Sequence, residues 1–183
     1  MGKSTAAGFL QQLGWQVIDT DLLAREVVAP GQPALDELRD AFGTDILEAD
    51  GTLRRDRLAE IVFADRDKRH RLEAIVHPRI RERWQATLRE LNNRGATSAV
   101  VVIPLLFETN AGSAFHKVVC LACKTQTQLA RLRARGWNDP QIRQRLAAQW
   151  PIERKMAAAD LVVWSEGARE LTLEQLRRVS VLV

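Results

Sequence analysis

The stretch Gly2-Lys3-Ser4-Thr5 stands directly before an apolar helical pattern that ends at Leu13. It matches the second half of the phosphate-binding loop G-x-x-x-x-G-K-[ST], which stands immediately before a helix. In such a loop, backbone N–H groups and the helix N-terminus hold phosphate oxygens. Lys3 is therefore expected to meet the β- and γ-phosphates of a nucleotide, and the Ser4 hydroxyl to bind Mg²⁺. The alternative is a flexible N-terminal tetrapeptide, because the first half of the motif is not in the sequence.

The composition is that of a folded globular protein with one domain. The 183 residues are 46% apolar and 27% charged, which excludes general disorder. No apolar run approaches the ~18 residues of a membrane helix, and the N-terminus resembles no secretory signal, so we expect a cytoplasmic protein. Lys and Arg number 27 against 23 Asp and Glu. This mildly basic balance suits a polyanionic small ligand as well as nucleic acid.

Strand and helix patterns alternate along the chain. Short β-branched or apolar runs at 15–18, 99–103, 115–121 and 161–164 are separated by helical patterns. The run at 99–103 is continuous, as expected for a strand that is buried on both faces. This alternation predicts an α/β protein with a mostly parallel sheet. A long polar helical block at 54–91, interrupted at His77-Pro78, is expected to form an inserted sub-domain.

Two carboxylates follow the first predicted strand in the sequence Asp19-Thr20-Asp21. Ligands of open α/β sheets bind just past the C-terminal ends of the strands. Residues i and i+2 of a strand share a face, so both carboxylates are expected in one site. One could accept a proton from an attacking hydroxyl while the other orients it. The alternatives are an acidic turn that closes the strand and a metal-binding D-x-D motif of a glycosyltransferase.

A cluster of arginines surrounds Gly136-Trp137-Asn138 in a helical region. Its members are Arg131, Arg133, Arg135, Arg143 and Arg145. Phosphoryl transfer needs cations around a spreading negative charge and a cover that excludes water, and an Arg-rich helical hairpin could supply both. The alternatives are a solvated basic face and, less favoured, a nucleic-acid surface, because no set of stacking aromatics is interleaved with the arginines.

The cysteines give no metal or redox signature. Cys120 and Cys123 lie three apart in a strand pattern, so their side chains should point to opposite faces. No second cysteine pair follows, and no H-x-x-x-H pair exists. A dedicated site built from His and Cys is therefore not expected.

Short segments throughout residues 2–167 match one family in order and spacing. They include Gly2-Lys3-Ser4-Thr5, Val17-Ile18-Asp19-Thr20-Asp21, Ala24-Arg25-Glu26-Val27-Val28-Ala29-Pro30-Gly31, Phe42-Gly43, Asp50-Gly51-Thr52-Leu53, His77-Pro78-Arg79-Ile80, Pro104-Leu105-Leu106-Phe107-Glu108, the run 128–135, Ala148-Gln149 and Ala159-Asp160-Leu161-Val162-Val163. Together they resemble the dephospho-CoA kinases, which are P-loop kinases of the nucleoside-monophosphate-kinase type.

The resemblance implies a P-loop NTP hydrolase-like α/β fold, a parallel sheet with flanking helices. One kinase domain is expected, with its core at about 1–53 and 96–183. A helical acceptor-binding sub-domain would occupy about 54–95, and an Arg-rich helical lid about 125–150. The implied reaction transfers the ATP γ-phosphate to the ribose 3′-hydroxyl of dephospho-CoA and gives coenzyme A and ADP.

The resemblance also assigns site residues by position. The implied catalytic residues are Asp21 as base, Lys3 and Arg131. The implied ATP-binding residues are Gly2, Lys3, Ser4, Thr5, Arg131 and Arg135. The implied acceptor-binding residues are Asp19, Arg25 and His77. Ser4 would bind Mg²⁺, and ATP and dephospho-CoA are the expected partners, with no nucleic acid, no membrane and a monomer favoured.

The start of the chain departs from the family pattern. In this family the P-loop strand is central in the sheet, and that strand would precede Met1. We therefore hypothesise that Met1 is an internal methionine of a longer protein. Val102 stands where many relatives carry Asp, so Mg²⁺ would depend on Ser4, the phosphates, water and Asp21.

Two further departures affect the nucleotide side. Arg135-Gly136 is one residue shorter than the Arg-Asp-Gly of the lid in relatives, and Trp164-Ser165-Glu166-Gly167 replaces an Asp-Asn-Ser-Gly run near the last strand. The adenine contacts are therefore left open. Two other functions also stay open: a different P-loop nucleoside or nucleotide kinase, and a truncated, inactive chain that only binds acceptor.

Overall fold

The chain forms two compact units in the computed structural model, which describes residues 1–182. The first unit comprises Met1–Val17 and the described chain from Val102 onward, and the second comprises Ile18–Val101. In chain order the elements are α1 Lys3–Gln12, β1 Gln16–Asp19, α2 Thr20–Glu26, α3 Pro33–Phe42, α4 Arg55–Phe63, α5 Arg66–Asn93, β2 Ala99–Val102, β3 Val119–Ala122, α6 Thr125–Arg133, α7 Asp139–Ala147, α8 Ile152–Ala158, β4 Leu161–Trp164 and α9 Arg169–Leu182. The predicted α/β class is confirmed.

The four strands form two separate pairs. β3 lies parallel to β4, with Val119 opposite Leu161 and Ala122 opposite Trp164. The connection between them runs through α6, α7 and α8, as a parallel pair requires a long crossover. β1 pairs with β2 in the other sheet. Each sheet is two strands wide within residues 1–182.

The expectation that the strand at 99–103 is buried on both faces is wrong. All four residues of β2 are only partly buried. A two-stranded sheet has few neighbours to cover it, so continuous apolarity does not guarantee burial. β4 shows the same effect, because Val162 and Trp164 are 44% and 40% exposed.

The second unit is built around the long helix α5. Helices α2, α3 and α4 all pack against it. Pro33 stands at the first position of α3, and Gly43, at φ 89°, ends that helix where few other residues would fit. The apolar core that results is continuous and consists of Val27, Val28, Ala34, Leu38, Ile46, Leu58 and Val62.

The expected interruption at His77-Pro78 is wrong, because α5 continues through Pro78. Proline removes one backbone donor and displaces the preceding turn. The Arg79 side chain adds a bond in the preceding turn, since its Nη1 donates to the Ile75 carbonyl at 2.6 Å. The chain breaks at Asp65 instead, whose carboxylate caps α5 by accepting from the N–H groups of Asp67 and Lys68 at 2.9 and 3.1 Å. No helix of the described chain is long and apolar enough to cross a membrane.

Candidate phosphate-binding and acceptor sites

The predicted phosphate-binding residues lie at the start of α1. Lys3, Ser4 and Thr5 form the first turn, and Gly2 precedes it in the left-handed conformation, φ 74°. A Cβ at Gly2 would lie 3.6 Å from both Arg131 Nη1 and a serine hydroxyl described below. The backbone of this segment is therefore approached closely from the side of Arg131, and the first turn of α1 presents N–H groups as the motif requires.

Arg131 is the arginine of the cluster that reaches this segment. Its Nη1 donates to Ser165 Oγ at 3.1 Å, and its Nη2 donates to the Ser165 carbonyl at 2.7 Å. Both acceptors are uncharged, so the guanidinium is oriented but keeps its charge. Arg131 therefore lies beside the segment that is predicted to bind phosphate, and its role toward ATP stays a prediction.

Three side chains that the sequence predicts to bind ATP act electrostatically on the Met1 amino group. They are Lys3, Arg131 and Arg135. Burial lowers the pKa of the Met1 amino group; Cys123 acts in the opposite direction, and the charges of Lys3, Arg131 and Arg135 lower the pKa further. Charges affect a neighbour in this way only at short range. The first unit therefore gathers these cations at the N-terminus of α1, where phosphate oxygens would be stabilised.

The other arginines of the cluster build the α6–α7 hairpin. Arg133 pairs with Asp139 at 2.9 Å, and Arg145 lies 4.0 Å over the Trp137 ring. The Asn138 side chain caps α7 by accepting a hydrogen bond from Gln141 N–H. The Gln141 side chain in turn accepts one from Asn138 N–H, and the two bonds form a capping box. Arg133 and Arg145 therefore already contact other side chains of the hairpin. Fewer arginines of the cluster remain as candidates for binding phosphate.

The turn after β4 was not assigned a role by sequence reasoning. Ser165 is 5% exposed and Glu166 is partly buried. Glu166 accepts from Lys124 N–H at 2.6 Å and from Thr127 Oγ1 at 3.0 Å, and these bonds lower its pKa. The sequence signal that could have identified this turn is the polar pair Ser165 and Glu166, directly after the C-terminal end of a strand. Such positions are where α/β proteins place ligand sites.

The carboxylates after β1 differ from the predicted arrangement. β1 ends at Asp19 and Asp21 already lies in the first turn of α2, so the shared-face argument for a strand does not apply. Asp19 caps α2, because its Oδ1 accepts from Asp21 N–H at 2.9 Å. Asp21 has an exposed side chain. Asp19 thus has a structural bond, while the Asp21 carboxylate faces solvent.

The remaining predicted acceptor residues also lie in the second unit. Arg25 is in the last turn of α2, and burial together with the Arg25 charge lowers the pKa of Arg55. Burial lowers the pKa of His77 on α5, with Glu73 opposing and Arg81 reinforcing the effect. Burial therefore favours the neutral form of His77, which can both donate and accept a hydrogen bond.

The predicted residues separate cleanly between the units. Every predicted ATP-binding residue belongs to the first unit, and Asp19, Asp21, Arg25 and His77 belong to the second. No group of three or more His, Cys, Asp or Glu suited to a metal ion occurs in the described chain. Ser4 is exposed in the first turn of α1. One hydroxyl suits Mg²⁺ that is held mainly by nucleotide phosphates and water.

A buried ion pair lies elsewhere in the first unit. Lys155 Nζ is 2.8 Å from Glu108 Oε1, and their side chains are only 9% and 14% exposed. The same carboxylate accepts from Trp150 N–H at 2.7 Å, and the Phe107 ring stacks on Trp150 at 5.6 Å. This cluster joins the segment after β2 to the start of α8 and was not foreseen.

Comparison with known proteins identifies the family. A family model described as dephospho-CoA kinase matches residues 1–170. The chain belongs to the dephospho-CoA kinase family. The dephospho-CoA kinase of Geobacter metallireducens is 44% identical over 176 residues, which are 96% of this chain and 88% of that protein. The dephospho-CoA kinase of Geobacillus kaustophilus is 41% identical over 96% of this chain and 88% of its own.

Solved structures share the fold of this chain. A crystal structure of a Thermus thermophilus protein matches with a TM-score of 0.83 and 31% identity, over 99% of this chain and 91% of that one. The dephospho-CoA kinase of Campylobacter jejuni has the same fold, with a TM-score of 0.70 and 24% identity over 98% and 92% of the two chains. The predicted family and P-loop kinase fold are confirmed, and the chain is a kinase of the phosphotransferase class.

Proposed function

We propose that this chain transfers the γ-phosphate of ATP to the ribose 3′-hydroxyl of dephospho-CoA, giving coenzyme A and ADP in the cytoplasm. The observation that carries the proposal is the geometry at the start of α1, where Lys3 lies in the first turn and Arg131 Nη1 would lie 3.6 Å from a Cβ at Gly2. In a member of the dephospho-CoA kinase family, this cluster suits the phosphates of ATP. The cluster would suit the ATP of other nucleoside or nucleotide kinases as well, and the family membership is what favours dephospho-CoA as acceptor.

The proposed mechanism assigns proton transfer to Asp21. Its exposed carboxylate accepts the proton of the 3′-hydroxyl as the acceptor oxygen forms a bond to the γ-phosphorus. The bond between that phosphorus and the β,γ-bridging oxygen breaks, and ADP leaves. Lys3 and Arg131 stabilise the charge that spreads over the transferring group. Mg²⁺, when bound with ATP and the Ser4 hydroxyl, neutralises part of the phosphate charge.

The proposed acceptor side lies in the second unit. Arg25 would contribute positive charge toward the acceptor phosphates, and neutral His77 would donate a hydrogen bond. Asp19 would hold the first turn of α2 so that Asp21 is correctly placed. In domain terms we propose a core at about 1–53 and 96–183, an acceptor-binding insertion at about 54–95, and a lid at about 125–150, acting as a monomer.

The deciding experiment measures ADP release by the purified chain with Mg-ATP, with and without dephospho-CoA. The proposal expects release that depends on dephospho-CoA and little release with adenosine or AMP as acceptor. Release that depends on adenosine or AMP instead would favour another P-loop kinase. ATP binding without any acceptor-dependent release would favour a chain that only binds its ligands.

Asp21→Asn tests the mechanism in the same assay, and Asp45→Asn is a matched control on an exposed carboxylate of the same unit. The control should keep the wild-type rate while Asp21→Asn loses it. Equal rates in both variants would remove Asp21 from the mechanism.

A further inference from the structure

Ser165 is a buried serine fixed at the C-terminal end of β4. Its N–H donates to the Ala122 carbonyl at 2.8 Å, which continues the hydrogen bonding between β3 and β4 by one residue. Its side chain is among the few buried polar groups of the described chain, with 5% of the residue exposed. The hydroxyl is 3.1 Å from the same Ala122 carbonyl and 3.2 Å from the Met1 carbonyl, either of which it can donate to.

The same residue holds the Arg131 guanidinium at two points. Ser165 Oγ accepts from Nη1, and the Ser165 carbonyl accepts from Nη2. A guanidinium has five N–H donors, so three stay available for a ligand. Because neither acceptor is charged, these two bonds orient the arginine without neutralising it, although the neighbouring Glu166 carboxylate also interacts with its charge. Arg133, by contrast, is paired with the Asp139 carboxylate.

The adjoining residue anchors the helix that carries this arginine. Glu166 binds Lys124 N–H and Thr127 Oγ1 at the N-terminal end of α6. The turn at 165–166 therefore positions both the backbone of α6 and the end of the Arg131 side chain. Gly2 completes the arrangement, since a Cβ there would lie 3.6 Å from Arg131 Nη1 and from Ser165 Oγ.

We propose that Ser165 is a positioning residue for phosphoryl transfer: it fixes the Arg131 guanidinium beside the phosphate-binding segment in the orientation that meets ATP. This inference rests on the proposed function, because it assigns Arg131 to the ATP phosphates. Preorganised donors stabilise developing charge without reorganising during the reaction. Ser165 itself contacts no reacting atom and acts only through Arg131.

A double-mutant cycle tests the proposal. Ser165→Ala should lower kcat/KM for ATP by about 10- to 100-fold, the usual effect of a hydrogen bond to a charged group. In an Arg131→Ala background, the same substitution should change kcat/KM less than about twofold, because the residue through which it acts is gone. Ser180→Ala is the control, since it removes a comparable partly buried hydroxyl bond, to Leu176 O at 2.9 Å, in the same unit.

Two outcomes would overturn the inference: wild-type kinetics in Ser165→Ala, or equal losses in both backgrounds, which would mean that Ser165 acts only on stability. Ser165→Cys covers the case of an unstable alanine variant, because sulfur keeps the volume but is a weak acceptor, and it should show the same kinetic loss. The same double-mutant cycle can be measured a second time with ADP affinity, in the absence of acceptor, as the readout. If dephospho-CoA fails as a substrate while the ADP cycle shows coupling, the proposed function fails and the positioning role stands.

Discussion

The buried pair of Glu108 and Lys155 should contribute strongly to stability once one partner is removed. Lys155→Met leaves the Glu108 carboxylate without its cation in a site where both side chains are at most 14% exposed. Glu108 Oε2 already lacks a hydrogen-bond partner, so the stranded charge has little compensation. Breaking such a pair costs about 3–5 kcal/mol. For a chain of this length, that is a fall in melting temperature of about 6–20 °C.

The double variant Glu108→Gln with Lys155→Met separates the ion pair from packing. The glutamine carbonyl can still accept from Trp150 N–H, now 2.7 Å from the carboxylate, and no charge is buried. The double variant should therefore be more stable than Lys155→Met alone, with a coupling of about 1–3 kcal/mol. Thermal and urea unfolding followed by circular dichroism would measure the stability of each variant and the coupling between the two substitutions.

Lys117→Met is the matched control. Lys117 pairs with Asp160 at 3.3 Å, but the two side chains are 48% and 40% exposed. Exposed pairs contribute about 0–1 kcal/mol, so this variant should unfold within a few degrees of the wild type. If Lys155→Met is no less stable than Lys117→Met, or if the double variant shows purely additive losses, the buried-charge reasoning is refuted.

Three further outcomes are expected. Asp21→Asn should lower kcat by about 10²- to 10⁴-fold while ATP affinity is kept, as steady-state kinetics and nucleotide titration would show; an unchanged kcat rejects Asp21 as base. Lys3→Ala should weaken both ATP affinity and turnover, and survival of both would exclude Lys3 from the phosphate site. The free energy of unfolding should fall as the pH drops below about 6.5, because the pKa of His77 is lowered on folding and the unfolded chain takes up the proton first. His77→Gln should flatten that part of the pH profile in urea titrations, and an unchanged slope would contradict the assignment.

The sequence predicted best those helices and strands whose ends depend on a few neighbouring residues. The apolar run at 161–164 gave bounds for β4 that the structure reproduces to the residue. Pro78 misled the prediction, because α5 continues through it while packed against α2, α3 and α4, and that packing is not visible in the local sequence. Burial of β2 was overestimated, since the width of the sheet is not visible in a strand's own sequence.

The residues of the candidate site also differ in whether the local sequence could predict them. Residues at the N-terminus of α1 could be predicted because the motif is contiguous. Ser165 could not be connected to Arg131, because the two are 34 positions apart and nothing local marks their contact. The cap formed by Asp19 was missed for a different reason: the prediction applied strand geometry as far as Asp21, whereas α2 begins at Thr20, directly after β1.

The narrow sheets have a consequence for how the protein behaves in solution. In a two-stranded sheet each strand has one side whose N–H and C=O groups are not bonded to another strand, and this holds for both pairs within residues 1–182. Such edges accept any extended chain that reaches them. Val119 and Val162, 37% and 44% exposed, add apolar surface along β3 and β4. Gln175 already bonds the Trp164 N–H and carbonyl at the outer side of β4, so concentrated samples are expected to self-associate through the other strands. Amide exchange along β3 should be faster than in α8, which packs against it.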